Sequence, residues 1–224
     1  MTLSIIALCE KTGHFGIAAA TAVPAVGKLL THAAPRIGAV ATQGLLNPYL
    51  GIDGIRLLED GRSAEEVVKE LSEADELAER RQFAVIDAQG QTAVWTGDGC
   101  KDWAGSISGN GFSVQGNRLT GRDVVDKSAK RFEDLQDMPL IEGLIEALAV
   151  GITDGGDRLG ERSATIYIVA EEEYPLWDIR VDDHDNPIAE LRRLQKVFAK
   201  DLLPHIKQMP SRDHPRGEPG DYDV

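Results

Sequence analysis

Thr2 carries the chemistry that reaches furthest. Loss of Met1, usual before a small second residue, leaves a hydroxyl and a free α-amine on one residue. The reference pKa of an α-amine is about 7.7–8.0, against about 10.4 for lysine, so a useful fraction is neutral near pH 7 and can take the hydroxyl proton, directly or through water. Nucleophile and base are then covalently paired, whereas with Met1 in place the nitrogen is an amide and the base vanishes. Ser4, two residues on, shares a face with Thr2 on any strand that starts here. It either polarises the site or is a small packing residue. Gln115, Gly116 and Asn117 offer amide and backbone donors in a glycine-rich stretch. They form either a plain turn or an oxyanion cradle, in which one donor contributes about 3 kcal/mol.

Thr42, Gln43 and Asn47 follow a third apolar segment, at the kind of strand end where site loops gather. Asn47 suits a helix cap, and Gln43 suits contact with a substrate amide. Asp157 either orients the Thr2 amine by its charge or pairs structurally with Arg158 in the turn that also holds Asp154. Asp182, Asp183, His184 and Asp185 read as solvated charge rather than a cation site, and Cys100 as an inert buried thiol. The five histidines contain no pair at the three- or four-residue spacing of a helical metal site. No phosphate-binding glycine loop or nucleophile elbow is present, so neither metal nor cofactor is expected.

Such residues need strands to hold them. Residues 3–9 and 15–21 are apolar runs around the turn-forming 10–13, which predicts a hairpin from the first residues; burial would hold Thr2 where most termini fray. Residues 37–42 read as a strand covered on both faces. Asn47 and Pro48 open a helix reaching to about Gly61, weakened by Gly51 and Gly54, and Ser63 with Glu66 forms a capping box. Residues 83–87 and 92–96 predict a second hairpin. Dense glycines over 97–116 predict loops around one short strand at 112–115. Helices over 122–135 and 140–152, strands over 164–170 and 177–181, and a helix from Asn186 complete the reading.

The 224 residues suit one domain over 1–205, with a flexible tail over 206–224 that from Ser211 on is charged and rich in Pro and Gly. A formal net charge of −13 opposes binding to nucleic acid or anionic lipid. Two cysteines and no long apolar run point to a soluble cytoplasmic protein with no membrane partner.

Thr2-Leu3-Ser4-Ile5, Gly38-Ala39-Val40-Ala41-Thr42-Gln43 and Asn47-Pro48-Tyr49-Leu50-Gly51 together resemble the DUF1028 family, grouped with the N-terminal nucleophile (Ntn) hydrolases. The likeness continues through Arg81-Gln82, Trp103-Ala104-Gly105, Val114-Gln115-Gly116-Asn117 and Arg180-Val181-Asp182-Asp183-His184, and covers about residues 2–195. It implies a mixed α/β fold, a four-layer αββα sandwich of two antiparallel sheets flanked by helices, with the first strand leading from the nucleophile. It also implies an amidohydrolase that cleaves a small-molecule amide or peptide-like bond through Thr2, without a cofactor. The alternative is a non-catalytic scaffold binding a ligand or protein. Related sites add a lysine and an aspartate, and Lys28 is the nearest lysine past the first hairpin. Proteins on this scaffold often pair, and the stripe Ile188, Leu191, Leu194 and Val197 suggests a homodimer.

Overall fold

The computed structural model describes residues 2–153, 155 and 160–218. Two antiparallel sheets lie face to face. The first has six strands in the order β10-β9-β2-β1-β8-β7, and the second has four in the order β3-β4-β5-β6. The strands are β1 (Thr2–Leu8), β2 (Phe15–Thr21), β3 (Thr31–Ala34), β4 (Gly38–Gly44), β5 (Arg81–Asp87), β6 (Thr92–Thr96), β7 (Trp103–Gly109), β8 (Phe112–Leu119), β9 (Ser163–Val169) and β10 (Pro175–Val181). Helices α1 (Pro48–Glu59) and α2 (Ala64–Ala74) cover the smaller sheet. Helices α3 (Asp123–Asp134), α4 (Leu140–Thr153) and α5 (Pro187–Asp201) cover the larger one, and a short α6 (Leu203–Ile206) follows α5. This is the αββα sandwich.

Side-chain alternation assigns each layer. On β1, Leu3, Ile5 and Ala7 join the core under α3 and α4, while Ile6 joins the layer between the sheets with Phe15, Ile17, Ala39, Ala41, Ala84 and Ile86. Leu3 and Ile5 are completely buried. At about 1.5–3 kcal/mol each, that burial fixes the strand that Thr2 begins.

Local signals in the chain account for the helix starts. The Asn47 side chain accepts from Tyr49 N with Pro48 in the first turn, and Ser63 and Glu66 form both bonds of the capping box. Gly51 costs α1 about 1 kcal/mol in propensity. A Cβ there would lie 2.0 Å from His32 Nδ1, so glycine is what allows α1 to lie against β3.

Two expectations are corrected. The sequence carries no signal for strand β3, and the glycine-rich segment, expected as loops around one short strand at 112–115, holds a full hairpin in which that strand extends into β8 and β7 pairs with it. Gly116 sits inside a strand because a Cβ there would come within 2.4 Å of Leu119 Cδ1. Residues 207–218, read from the sequence within the tail, bond back to the domain. Tyr174 donates to the Pro210 carbonyl at 3.0 Å, and Arg212 pairs with Glu173 at 2.6 Å. On α5, Ile188 and Leu191 are buried against the larger sheet, so the stripe suggested for pairing is largely spent on the chain's own core.

Candidate functional site

The layer between the sheets is apolar over most of its area and turns polar at one end. Thr2, Ser4, Thr21, Gln43 and Gln82 fall there, each on the parity of an inward apolar neighbour, and Gln115 and Asn117 face the same way as Ser4 and Thr2, their register partners on β1. Thr2 opens the central strand β1, paired with Thr21 on one side and Asn117 on the other. Its Oγ1 is 3.2 Å from Thr21 Oγ1, and its carbonyl accepts from Gln43 Nε2 at 3.4 Å.

Gln82 is the hub of this end. It is wholly buried, and its Oε1 accepts from Gln43 Nε2 at 2.7 Å and from Asn117 Nδ2 at 3.0 Å. Its Nε2 is shared among Thr96 Oγ1 at 3.0 Å, the Gly105 carbonyl at 3.2 Å and the Gly116 carbonyl at 2.9 Å. The amide therefore joins the smaller sheet to β7 and β8 of the larger one. Gln115 ties the sheets in the opposite sense, donating to Ala41 O at 3.0 Å and to Ser4 Oγ at 3.3 Å. Those bonds occupy both of its amide hydrogens, so Gln115 is a tie and Ser4, wholly buried, is its acceptor. Gln43 Oε1 and Gln115 Oε1 are buried without a partner among the described residues, at a cost of about 1–3 kcal/mol each unless water or ligand meets them.

The structure thus brings Thr2, Ser4, Gln43, Gln115 and Asn117 together and separates two other candidates. Thr42 lies on the opposite face of β4 from Gln43, on the α1 and α2 side with Val40, and its hydroxyl donates to the Asn47 carbonyl at 3.3 Å. Asn47 caps α1, and its Nδ2 donates to Asp75 Oδ2 at 3.1 Å. Both shape the loop after β4 rather than face Thr2. Asp157 and Arg158, with Asp154, lie outside the described residues. Lys28 is exposed. Asp182 and Asp183 each pair with an arginine, Arg180 at 3.0 Å and Arg162 at 2.7 Å.

Gln82 was named in the sequence only as part of a resemblance. The signal that could have found it is parity, because it shares the inward face of Ala84 and Ile86 at a place where an apolar residue would serve the core. Beside it, Arg81 and Asp75 form an ion pair at 2.9 Å with each side chain only 10% exposed, and Arg81 also holds the Leu45 carbonyl. Burial is the largest single influence on Asp75 and opposes its ionisation. Hydrogen bonds from Arg81, Leu77 N–H and Asn47, with the Arg81 charge, outweigh it and hold the carboxyl below its ordinary value. Burial pushes the Cys100 thiol up, and Cys100 Sγ donates to the Arg81 carbonyl at 3.4 Å.

A family model for DUF1028, a family of unknown function, matches residues 2–191. The chain belongs to DUF1028. A crystal structure of a DUF1028 protein from Silicibacter pomeroyi superimposes on this DUF1028 chain with a TM-score of 0.90 at 26% identity, covering 98% of this chain and 99% of the other. The ancestral β-subunit Anbu from Yersinia bercovieri aligns with a TM-score of 0.43 at 13% identity, over 93% of this chain and 98% of that one. A search of curated proteins finds no match. Among the described residues of this DUF1028 protein, no helix is long and apolar enough to cross a membrane.

Proposed function

We propose that the protein, once Met1 is removed, is an Ntn amidohydrolase that cleaves a small amide or peptide-like bond through Thr2. The observation that carries this reading is the position of Thr2: it heads a central strand anchored by buried Leu3 and Ile5, at the polar end of the layer between the sheets. That fixity supplies what a reacting group needs, a held orientation.

Thr2 Oγ attacks the substrate carbonyl while its proton passes to the α-amine, directly or through water. The oxyanion is met by the second amide hydrogen of Asn117, whose first is held by Gln82 Oε1. Collapse breaks the C–N bond, and the leaving amine takes the proton from the α-ammonium. Water, activated by the same amine, then hydrolyses the Thr2 ester and releases the acid. Gln43, bonded to the Thr2 carbonyl and to Gln82, positions the backbone of the nucleophile.

A second reading, a ligand-binding scaffold without turnover, is favoured by one feature: Thr21 and Gln43, which contact the Thr2 hydroxyl and carbonyl, are neutral. Turnover of a panel of small amides, lactams and short peptides by wild type and Thr2→Ala separates the two. Hydrolysis lost in Thr2→Ala supports the enzyme, and ligand binding without hydrolysis in wild type supports the scaffold.

A further inference from the structure

A small cavity of about 120 Å³ opens at the end of the sandwich where Thr2 lies. Asn117, the register partner of Thr2 on β8, lines it, as does Gly44, next to Gln43. Arg80, Lys101 and Arg118 also line it, and no carboxylate does. In a chain with 37 acidic and 24 basic residues that composition is unusual. The cavity beside α1 and α2, for comparison, is lined by Asp53, Asp75 and Glu76. None of the three cations forms an ion pair among the described residues, so their charge is not already neutralised by a neighbouring carboxylate.

The backbone of β8 brings Arg118 to this place. The pairing of β7 with β8 shifts so that Trp103 and Gly105, two apart, face Leu119 and Gly116, three apart. The extra residue is a β-bulge, in which Arg118 takes a left-handed φ of 56° and its N–H donates to the Lys101 carbonyl at 3.2 Å. The bulge lets Leu119 return to the helix-side core while Asn117 and Arg118 both line the cavity. Asn117 is itself 5% exposed, and no hydrogen bond among the described residues reaches its Oδ1. A buried amide with an open acceptor thus stands against unpaired cations.

We infer that this cavity is the subsite for a carboxylate on the substrate, so that the amide presented to Thr2 belongs to an acyl amino acid or a molecule of that kind. Two guanidinium groups and an ammonium match a carboxylate in charge and in donor geometry. The volume of about 120 Å³ suits a carboxylate on a short stem, since one water occupies roughly 30 Å³ of liquid. This assignment deepens the hydrolase reading and rests on it for the identity of the reacting bond.

The test uses N-acetylglycine and its uncharged counterpart N-acetylglycinamide, each titrated into the full-length Thr2→Ala protein at low ionic strength and followed by amide chemical shifts. The acid is expected to bind about tenfold tighter than the amide, with shifts centred on Gly44 and Asn117. Lys101→Gln with Arg118→Asn, both at exposed positions and the second compatible with a left-handed backbone, is expected to abolish the preference while leaving the rest of the spectrum intact. Equal affinity for the two probes, binding of neither, or a preference that survives in the double variant overturns the subsite. Because binding is read directly from chemical shifts, these outcomes do not depend on hydrolysis. A preserved preference with no wild-type hydrolysis of any carboxylate-bearing amide speaks against the hydrolase alone.

Discussion

Asn117 Nδ2 donates to Gln82 Oε1 at 3.0 Å, from the sheet that carries Thr2 to the sheet opposite. One buried glutamine thereby orders the neighbour of the proposed nucleophile and helps hold the two sheets together.

Removing that amide takes the acceptor from one amide hydrogen each of Gln43 and Asn117 and withdraws a donor from Thr96 Oγ1 and from the carbonyls of Gly105 and Gly116. Gln82→Ala is expected to lose about 2–4 kcal/mol and roughly 5–12 °C in melting temperature. A change within about 0.5 kcal/mol, measured by denaturant unfolding, removes Gln82 as the hub.

Gly51→Ala sets helix propensity against packing. An exposed helix position would gain up to about 1 kcal/mol from alanine, but here a methyl meets the His32 ring and a loss of about 1–3 kcal/mol is expected. Combining it with His32→Ala should recover part of the loss. A double-mutant cycle with no coupling contradicts the contact.

Asp75 gives a pH dependence with a definite sign. Its carboxyl is held below the ordinary value, so its contribution is fully present above the unfolded pKa of about 3.9 and is lost as pH falls through the lower folded value. Wild type should lose stability through acid below about pH 4 more steeply than Asp75→Asn, whose own deficit at neutral pH is about 1–3 kcal/mol. Parallel acid profiles of the two proteins would contradict the assignment.

Cys100 is expected to alkylate slowly near pH 7.5, because burial raises its thiol and the Arg81 carbonyl holds its proton. Labelling by iodoacetamide as fast as an unhindered thiol would show that the Cys100 loop opens.

How much of this was legible in the chain depends on where each signal is stored. The β1–β2 hairpin, the Asn47 cap and the Ser63–Glu66 box are written in neighbouring residues, and each forms where it was read. Strand β7 was hidden because Gly105 and Gly109 read as breakers until the side chains of Trp103 and Phe112 are seen to fill the space beside them. Thr42 and Gln43 were both candidates, although consecutive residues on a strand face opposite ways and only one can enter the layer between the sheets. Gln82 escaped because its partners come from β4, β6, β7 and β8, a set no sequence window contains.

The central claim is that Thr2 is an unblocked nucleophile, and an adduct tests it most directly. A reactive β-lactone should acylate Thr2 Oγ, opening its ring at the acyl C–O bond. Mass analysis of the treated protein and its peptides is expected to show loss of Met1 and one added lactone on the Thr2 peptide, absent from Thr2→Ala. Retained Met1, or labelling that persists when Thr2 is replaced, would contradict the account.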